Sequence, residues 1–456
     1  MKVLRAPFRV RGTVHPHYHK EVTAGRLIET LPPPTIVQVP MLQHLGAPAK
    51  PIVSKGDKVG VGQLIAEAGG PVSACAHSPV SGTVRAITEG VAATGRPTLV
   101  IEIENDGLNT PASPLQPKPD WSSQEPATLI GLVAAAGIVG MGGAGFPTHV
   151  KINPPPAKRI DTLIINGAEC EPYLTADHRL MVERPEAIWE GIRILRHILR
   201  GPRVRLAIED NKPDAIRAME KVMASADDDV ALVVLPTAYP MGAEKQLIAA
   251  LLGREVPSGG LPSDVGALVE NVATCAAVFE AVVQGHPLTR RVVTVTGSLI
   301  RRPANVLAPI GARFSDLIEF CGGLQETGGK LICGGPMMGV AQVDASTPVG
   351  KTVSGILALS RQDIAVYETH ACIACGRCVR ACPMSLLPCT ISVAVEAGQF
   401  EEAERLAVMD CIECGCCAYV CPAHRPMVQF MRQGKAQIQA IRRLKQQQNP
   451  PVPRSP

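Results

Sequence analysis

One cysteine spacing occurs twice towards the C-terminal end of this 456-residue chain. The first copy is Cys372, Cys375, Cys378 and Cys382, followed by Pro383. The second is Cys411, Cys414, Cys417 and Cys421, followed by Pro422. Three thiolates at this spacing wrap a tight loop round three corners of an iron–sulfur cube, and the fourth cysteine reaches across to the other cube. The spacing therefore predicts two [4Fe–4S] clusters. One uses Cys372, Cys375, Cys378 and Cys421; the other uses Cys411, Cys414, Cys417 and Cys382. Paired C-x-x-C units also hold tetrahedral zinc. Zinc gives no reason for a third cysteine, a fourth three residues on and a trailing proline, all repeated. A chain holding two such clusters moves single electrons. Of the 15 cysteines, Cys75, Cys170, Cys275, Cys321, Cys333, Cys389 and Cys416 are left over, and most read as small buried fillers. Cys389 and Cys416 lie beside ligands but fit neither spacing.

The length exceeds what one core supports, and about three domains are expected. Hydrophobic residues at 46% and charged residues at 19% suit a soluble globular protein. A net charge of +4 and an aromatic content of 3% give no basis for nucleic-acid binding. No apolar run approaches the roughly 18 residues that span a bilayer, and the first residues lack the apolar centre of a signal peptide. The expectation is a cytoplasmic setting in which thiols stay reduced.

Residues 1–105 read as short strands and turns, with apolar or β-branched runs at 52–59, 62–66 and 78–84 bounded by Gly and Asp. They resemble the barrel-sandwich hammerhead of biotinyl and lipoyl domains. No lysine sits in the hairpin between Gly69 and Pro79, so a swinging prosthetic arm is not expected; the module reads as structural or as a docking surface. Residues 106–126 form a Pro/Ser-rich linker. From 127 to 285, apolar strands at 162–166 and 204–208 alternate with amphipathic helices at 184–198 and 214–224, which favours a mostly parallel α/β layer. Residues 286–345 turn β-rich, with a short helix near 314–320. Residues 361–440 are helical around the cysteines, and 441–456 read as a disordered tail. The fold class expected is multidomain α/β plus α.

A second informative segment is Gly140, Met141, Gly142, Gly143, Ala144, Gly145, Phe146, Pro147, Thr148. It matches G-x-G-x-x-G, in which bare backbone approaches a phosphate. The preceding residues 129–138 look helical, which speaks against a standard Rossmann loop and for a glycine-rich cofactor loop of another kind. Without a second motif such a run only permits tight turns.

With Lys151, this segment resembles the FMN/NADH loop of the nucleotide-binding flavoprotein subunit of respiratory complex I. Asn166, Glu169, Cys170, Glu171 and Pro172, then Gly242, Glu244 and Lys245, then Asn271 and Thr274, continue the similarity in the same order. The whole arrangement resembles the RnfC/RsxC family, the C subunits of the Rnf/Rsx ion-translocating electron transport complex. In that family a barrel-sandwich hybrid precedes a Rossmann-like α/β FMN/NADH domain, an SLBB β-grasp segment follows, and a helical dicluster [4Fe–4S] ferredoxin-like domain comes last. The resemblance implies that Gly140, Gly142, Gly143 and Gly145 cradle FMN and that Phe146 stacks on the nicotinamide nucleotide. It implies that Lys151 balances flavin or phosphate charge, that Asn166 and Glu169 hydrogen-bond the flavin, and that Glu171 helps hold NADH. Glu244 and Asn271 are implied to lie close to the flavin. Met141, Ala168 and Ala243 depart from the complex I pattern, so the nucleotide contacts are open.

The function implied is a peripheral electron-input subunit on the cytoplasmic face of the bacterial inner membrane. It would work with integral membrane subunits and a ferredoxin-type B subunit, with NADH as substrate and no nucleic acid. The alternatives are a soluble cobalamin reductase of the same superfamily, against which the leading hammerhead module argues, and a non-catalytic iron–sulfur relay.

Overall fold

The computed structural model describes residues 2–143 and 145–448. Apolar runs without polar alternation suit strands buried on both faces, and such strands usually lie parallel. Five strands form the central sheet in the order Lys2–Arg5, Val230–Leu235, Arg203–Glu209, Thr162–Gly167, Ala267–Asn271. All four neighbouring pairs are parallel. Successive residues feed opposite cores: Leu163, Ile165, Leu206 and Leu268 pack on one side, Ile164, Ala207, Val233 and Val269 on the other. Each such Val, Leu or Ile side chain, fully buried, contributes about 1.5–3 kcal/mol.

The helix Pro185–Ile198 shows how the covering layer is built. Pro185 stands in its first turn, where the absent N–H is no loss, and Arg196 and His197 stand at its negative end. Ile188, Ile192, Leu195 and Ile198 recur at helical spacing and are buried. The helix packs on Val272–Gln284, and Gly191 lets the two backbones meet. A Cβ on Gly191 would fall 1.8 Å from the Cys275 carbonyl oxygen, so Gly191→Ala would force the pair apart.

Two N-terminal segments lie outside the hammerhead in which the boundary 1–105 placed them. Lys2–Arg5 pairs in parallel with Val230–Leu235 as the edge of the central sheet. All four of its residues are exposed, so its sequence carries no burial pattern; it belongs there because it satisfies backbone groups that the neighbouring strand leaves open. Ile28–Thr30 joins the β-grasp sheet beside Ala304–Pro309.

The hammerhead itself has one sheet of Ile36–Pro40, Pro97–Asn105, Gly82–Val91 and Lys58–Val59, and another of Lys50–Pro51, Leu64–Glu67 and Ala76–His77. Its hairpin, which carries no lysine, is docked. The buried Lys351 ammonium donates to the Cys75 carbonyl at 2.5 Å and to the Gly137 carbonyl at 2.6 Å. The segment 106–126 is not a free tether either. Trp121 is buried, and the Leu115 and Lys118 amides donate to Gly285 and Val282.

The β-grasp region is a six-stranded mixed sheet in the order Val340–Gln342, Lys330–Cys333, Gly355–Leu359, Arg290–Thr296, Ala304–Pro309, Ile28–Thr30. Its helix, Phe314–Phe320, lies where periodicity puts it. Because of Gly355–Leu359 the sheet extends past the expected limit at 345. The C-terminal part is helical. Its last helix, Met427–Gln448, takes in residues 441–448 of the expected tail; residues 449–456 lie outside the described residues.

Candidate functional site

Ligands of open α/β sheets bind beyond the carboxyl ends of the strands, where strand order reverses. Here that point lies between Thr162–Gly167 and Ala267–Asn271, because the chain runs from the first outward to one side and returns on the other. Asn166 and Asn271 are register partners at those carboxyl ends.

The glycine loop follows the helix Pro126–Ala135 and not a strand, as its sequence indicates. It is closed by the Gly140 amide donating to the Phe146 carbonyl at 2.9 Å. Two further bonds pin it: the Met141 amide donates to Thr274 Oγ1 at 3.0 Å, and buried Arg291 donates to the Met141 carbonyl at 2.7 Å. Gly142 lies against Asn271, where a Cβ would come within 2.7 Å of the Asn271 amide nitrogen. Gly145 has φ of +67°, and its Cβ would strike Thr352. Gly142 and Gly143 are exposed, and Gly143 faces open space. Phe146 is half-buried beside them. Ala144 lies outside the described residues.

Lys151, from the short helix Thr148–Lys151, donates to Glu244 at 2.9 Å and to the Val269 carbonyl. Burial alone would lower its pKa, but the charges of Glu270 and Glu244 outweigh that and raise it. Asn166 donates to the Gly242 carbonyl at 2.9 Å. Asn271 caps the helix Val272–Gln284 by accepting from the Ala273 amide, and donates to Asp177 at 2.6 Å. Glu169 accepts from the Asp177 and His178 amides at 2.8 and 3.1 Å, capping the helix Ala176–Glu183.

Glu171 stands apart from this group. Its carboxylate accepts from the Met337 and Met338 amides at 3.1 and 2.7 Å. Burial pushes it up to about 7. It is thus turned towards the Met337 turn, against which Gly415 of the second cysteine loop packs.

Three residues of the pocket carry no motif. Asp177 is pushed up to about 6 by burial and by Glu169, and orients Asn271. Arg291, lowered to about 10 by burial, holds the loop. Glu270 is buried with both carboxylate oxygens unpartnered; an acid inside the apolar strand Ala267–Asn271 is the one sequence signal that was available. The site fits a flavin nucleotide: Gly142 and Gly143 are exposed, Gly142 packs on Asn271, Lys151 ends the short helix that follows the loop, and Glu270 and Thr148 leave buried oxygens unsatisfied.

The two cysteine repeats fold alike. Ala374 and Glu413, Gly376 and Gly415, and Ser385 and His424 occupy equivalent positions, and all six have positive φ. Arg377–Arg380 corresponds to Cys416–Tyr419, and Pro388–Glu396 to the start of Met427–Gln448. In each loop a backbone amide two residues on donates to the first cysteine sulfur at 3.4 Å. Cys382, Cys411, Cys414 and Cys417 line one cavity, with Met384, Leu386 and Met431 on its apolar wall. That set is the one predicted for the second cluster. Burial pushes Cys411 up to about 11 and raises Cys417, whereas a hydrogen bond from Cys416 lowers Cys414; cationic metal among them would favour the thiolate of each. Of the first set, Cys378 and Cys421 share an apolar patch with Met427, while Cys372 and Cys375 are exposed. Cys416 lies beside Cys414, and Cys389 beside Cys378.

The second ligand set, drawn from both repeats, is bolted to the flavin domain and the N-terminal segment. Tyr239 donates to the Cys414 carbonyl at 2.7 Å, and Gln246 donates to the Pro383 carbonyl at 2.8 Å. Gly12 presses on the Cys382 carbonyl, where a Cβ would come within 2.2 Å.

Family models match in the same order along the chain: the RnfC barrel sandwich hybrid domain over residues 8–108, the Nuo51 FMN-binding domain over 133–280, the SLBB domain over 292–341 and a 4Fe-4S dicluster domain over 364–422. The C subunit of the proton-translocating ferredoxin:NAD(+) oxidoreductase complex of Clostridium ljungdahlii is 47% identical, over 94% of both chains. The C subunit of the ion-translocating oxidoreductase complex of Rhodobacter capsulatus is 45% identical, over 94% of this chain and 83% of that one. Its counterpart from the Na(+)-translocating ferredoxin:NAD(+) oxidoreductase complex of Acetobacterium woodii is 43% identical, over 95% and 98%. Among solved structures, the NAD+-reducing [NiFe]-hydrogenase in its H2-reduced state shares the fold at a TM-score of 0.50 and 19% identity, over 72% of this chain and 69% of that one. The chain belongs to the RnfC family, the C subunits of ion-translocating oxidoreductase complexes, as an electron-transfer subunit that binds FMN and two [4Fe–4S] clusters and uses NADH.

Proposed function

We propose that electrons pass between NADH at the pocket of residues 140–145 and the cluster on Cys382, Cys411, Cys414 and Cys417, then the cluster on Cys372, Cys375, Cys378 and Cys421, and from there a partner. When bound, FMN would supply the chemistry that links the electron pair of NADH to the single electrons of the clusters. The chain's own residues fix the geometry: Arg291 and Thr274 hold the glycine loop, Asn271 and Asn166 would line the flavin, Tyr239 holds the second cysteine loop, and Gln246 holds Pro383 beside the second set's Cys382. Glu171, locked on the Met337 and Met338 amides, supports the cluster side and not the nucleotide.

The observation that carries this order is unequal burial. The second set is enclosed against the flavin domain, whereas the first exposes Cys372 and Cys375. Around that open end Val366 is 90% exposed, Ile373 65% and Tyr367 60%, an apolar rim suited to a partner. Among the described residues no helix is long and apolar enough to cross a membrane. The partners are the complex's integral membrane subunits and its ferredoxin-type B subunit, which hold this chain peripherally on the cytoplasmic face. Relatives named for protons and for sodium are similarly close, which fits a coupling ion chosen elsewhere in the complex.

The test is anaerobic titration with NADH, followed by low-temperature paramagnetic resonance. Cys375→Ala should leave the second cluster reducible by NADH and abolish transfer to the membrane subunits. Cys414→Ala should leave the first cluster reducible by dithionite but not by NADH. The reverse pattern overturns the order.

A further inference from the structure

Glu270 is next to last in the buried strand Ala267–Asn271 and is 2% exposed. Neither carboxylate oxygen has a hydrogen-bond partner. An ionised carboxylate in such a place costs several kcal/mol unless something compensates it, and an unsatisfied buried group calls for a proton, a water or a ligand. Three ionisable groups face it from the elements packed around it: Lys151 from Thr148–Lys151, Glu244 from Glu244–Leu252 and Cys275 from Val272–Gln284. Cys275 is neutral, since burial raises its thiol well above the ordinary range. Lys151 is therefore the one cation between two carboxylates, and it already donates to Glu244 at 2.9 Å.

The charge count decides the consequence. With both carboxylates ionised, Lys151, Glu244 and Glu270 together carry one net negative charge, beside Asn271 on which Gly142 of the glycine loop packs. With Glu270 protonated they are together neutral, and an anion is no longer repelled. Burial pushes Glu270 up to about 7, so both states are accessible near neutral pH.

We propose that Glu270 is a proton switch for the cofactor pocket: anionic FMN binds together with one proton taken up by Glu270, which leaves the Lys151 charge available to the ligand. This rests on the flavin reading of the pocket. Linkage gives the sign. If the bound state favours protonated Glu270, affinity falls as pH rises through the group's pKa in the free protein, by about tenfold per pH unit beyond it. Asp177, pushed up to about 6, lies across Asn271 and titrates nearby. The FMN phosphate also has an ionisation near 6. Both remain in a Glu270→Gln variant, so the difference between the two proteins isolates Glu270.

The experiment is FMN binding to the flavin-free full chain with its clusters in place, followed by flavin fluorescence across the neutral range for wild type and Glu270→Gln. Calorimetry of the wild type in two buffers of different ionisation enthalpy counts the protons. The switch predicts uptake approaching one proton above the Glu270 pKa, and a loss of affinity at alkaline pH that Glu270→Gln abolishes. Equal pH slopes in the two proteins, or binding by the wild type without proton uptake, overturn the switch and leave the flavin reading intact. Failure of the wild type to bind FMN at any pH overturns both. If Glu270→Gln does not fold, Glu270→Leu takes its place in the same comparison of pH slopes and proton counts.

Discussion

The two cysteine loops are near copies in sequence and backbone, yet one is enclosed and the other open. Both use the same positive-φ positions and the same amide-to-sulfur contact. The second is clamped from three sides: Tyr239 and Met337 from neighbouring domains, and Lys435 from the last helix, which donates to the Cys411 carbonyl at 2.6 Å and to Glu413 at 2.7 Å. At the place of Glu413 the first loop has Ala374, and Cys372 and Cys375 face solvent. The repeat encodes how to hold a cluster; the surroundings decide how far each set of cysteines is enclosed.

The largest test of that contrast is a pair of glycine substitutions. Gly415 has φ of +81°, and a Cβ would meet the Met337 carbonyl oxygen at 2.9 Å. Gly376 has φ of +68°, with only the tip of Arg380 nearby at 3.8 Å. Gly376→Ala should cost about 1–2 kcal/mol of backbone strain, and Gly415→Ala about 3 kcal/mol or more once the backbone contact is added. Iron content after anaerobic purification, with thermal unfolding of each variant, checks it; equal losses would erase the distinction.

Next comes Tyr239→Phe. It leaves the Cys414 carbonyl without its buried donor, at about 1–3 kcal/mol. The second cluster's midpoint potential should move while the first's stays, as a redox titration resolves; a shift in both would show that the loops are not independently held.

The smallest effect is electrostatic. Burial raises the Glu413 carboxyl, but hydrogen bonds and charge from Lys435 and Arg432 outweigh it and hold the group below the ordinary range. An acid so depressed stabilises the fold above its unfolded pKa, and that contribution is lost as pH falls through the folded value. Glu413→Ala, which makes the second loop like the first, should cost about 1 kcal/mol at neutral pH and nothing in acid. Unfolding of both proteins at the two pH values measures it; a cost that persists in acid would mean packing and not charge.

Much of this was legible in the residues. Cysteine spacing paired Cys382 with the second loop, and the structure brings those four around one cavity. Uninterrupted apolar runs marked the central strands, and helical spacing marked 184–198. What escaped had no local signal. Lys2–Arg5 enters the sheet through backbone pairing alone, with exposed side chains. Asp177 and Arg291 act through contacts with Asn271 and Met141, far away in sequence. Glu171 sits in a motif whose resemblance pointed to NADH, but the Met337 and Met338 amides that hold it come from a turn no pattern connects to it.

Gly12 touches Cys382, and the strand just before it pairs with Val230–Leu235. Lys2–Arg5 therefore finds its partner only at residues 230–235, and Gly12 only at Cys382. Contacts so distant in sequence are slow to close, and until then the edge of the central sheet stands open to other chains. Cys382, a member of the second ligand set, thus bears directly on the segment that leads out of the strand covering the sheet edge.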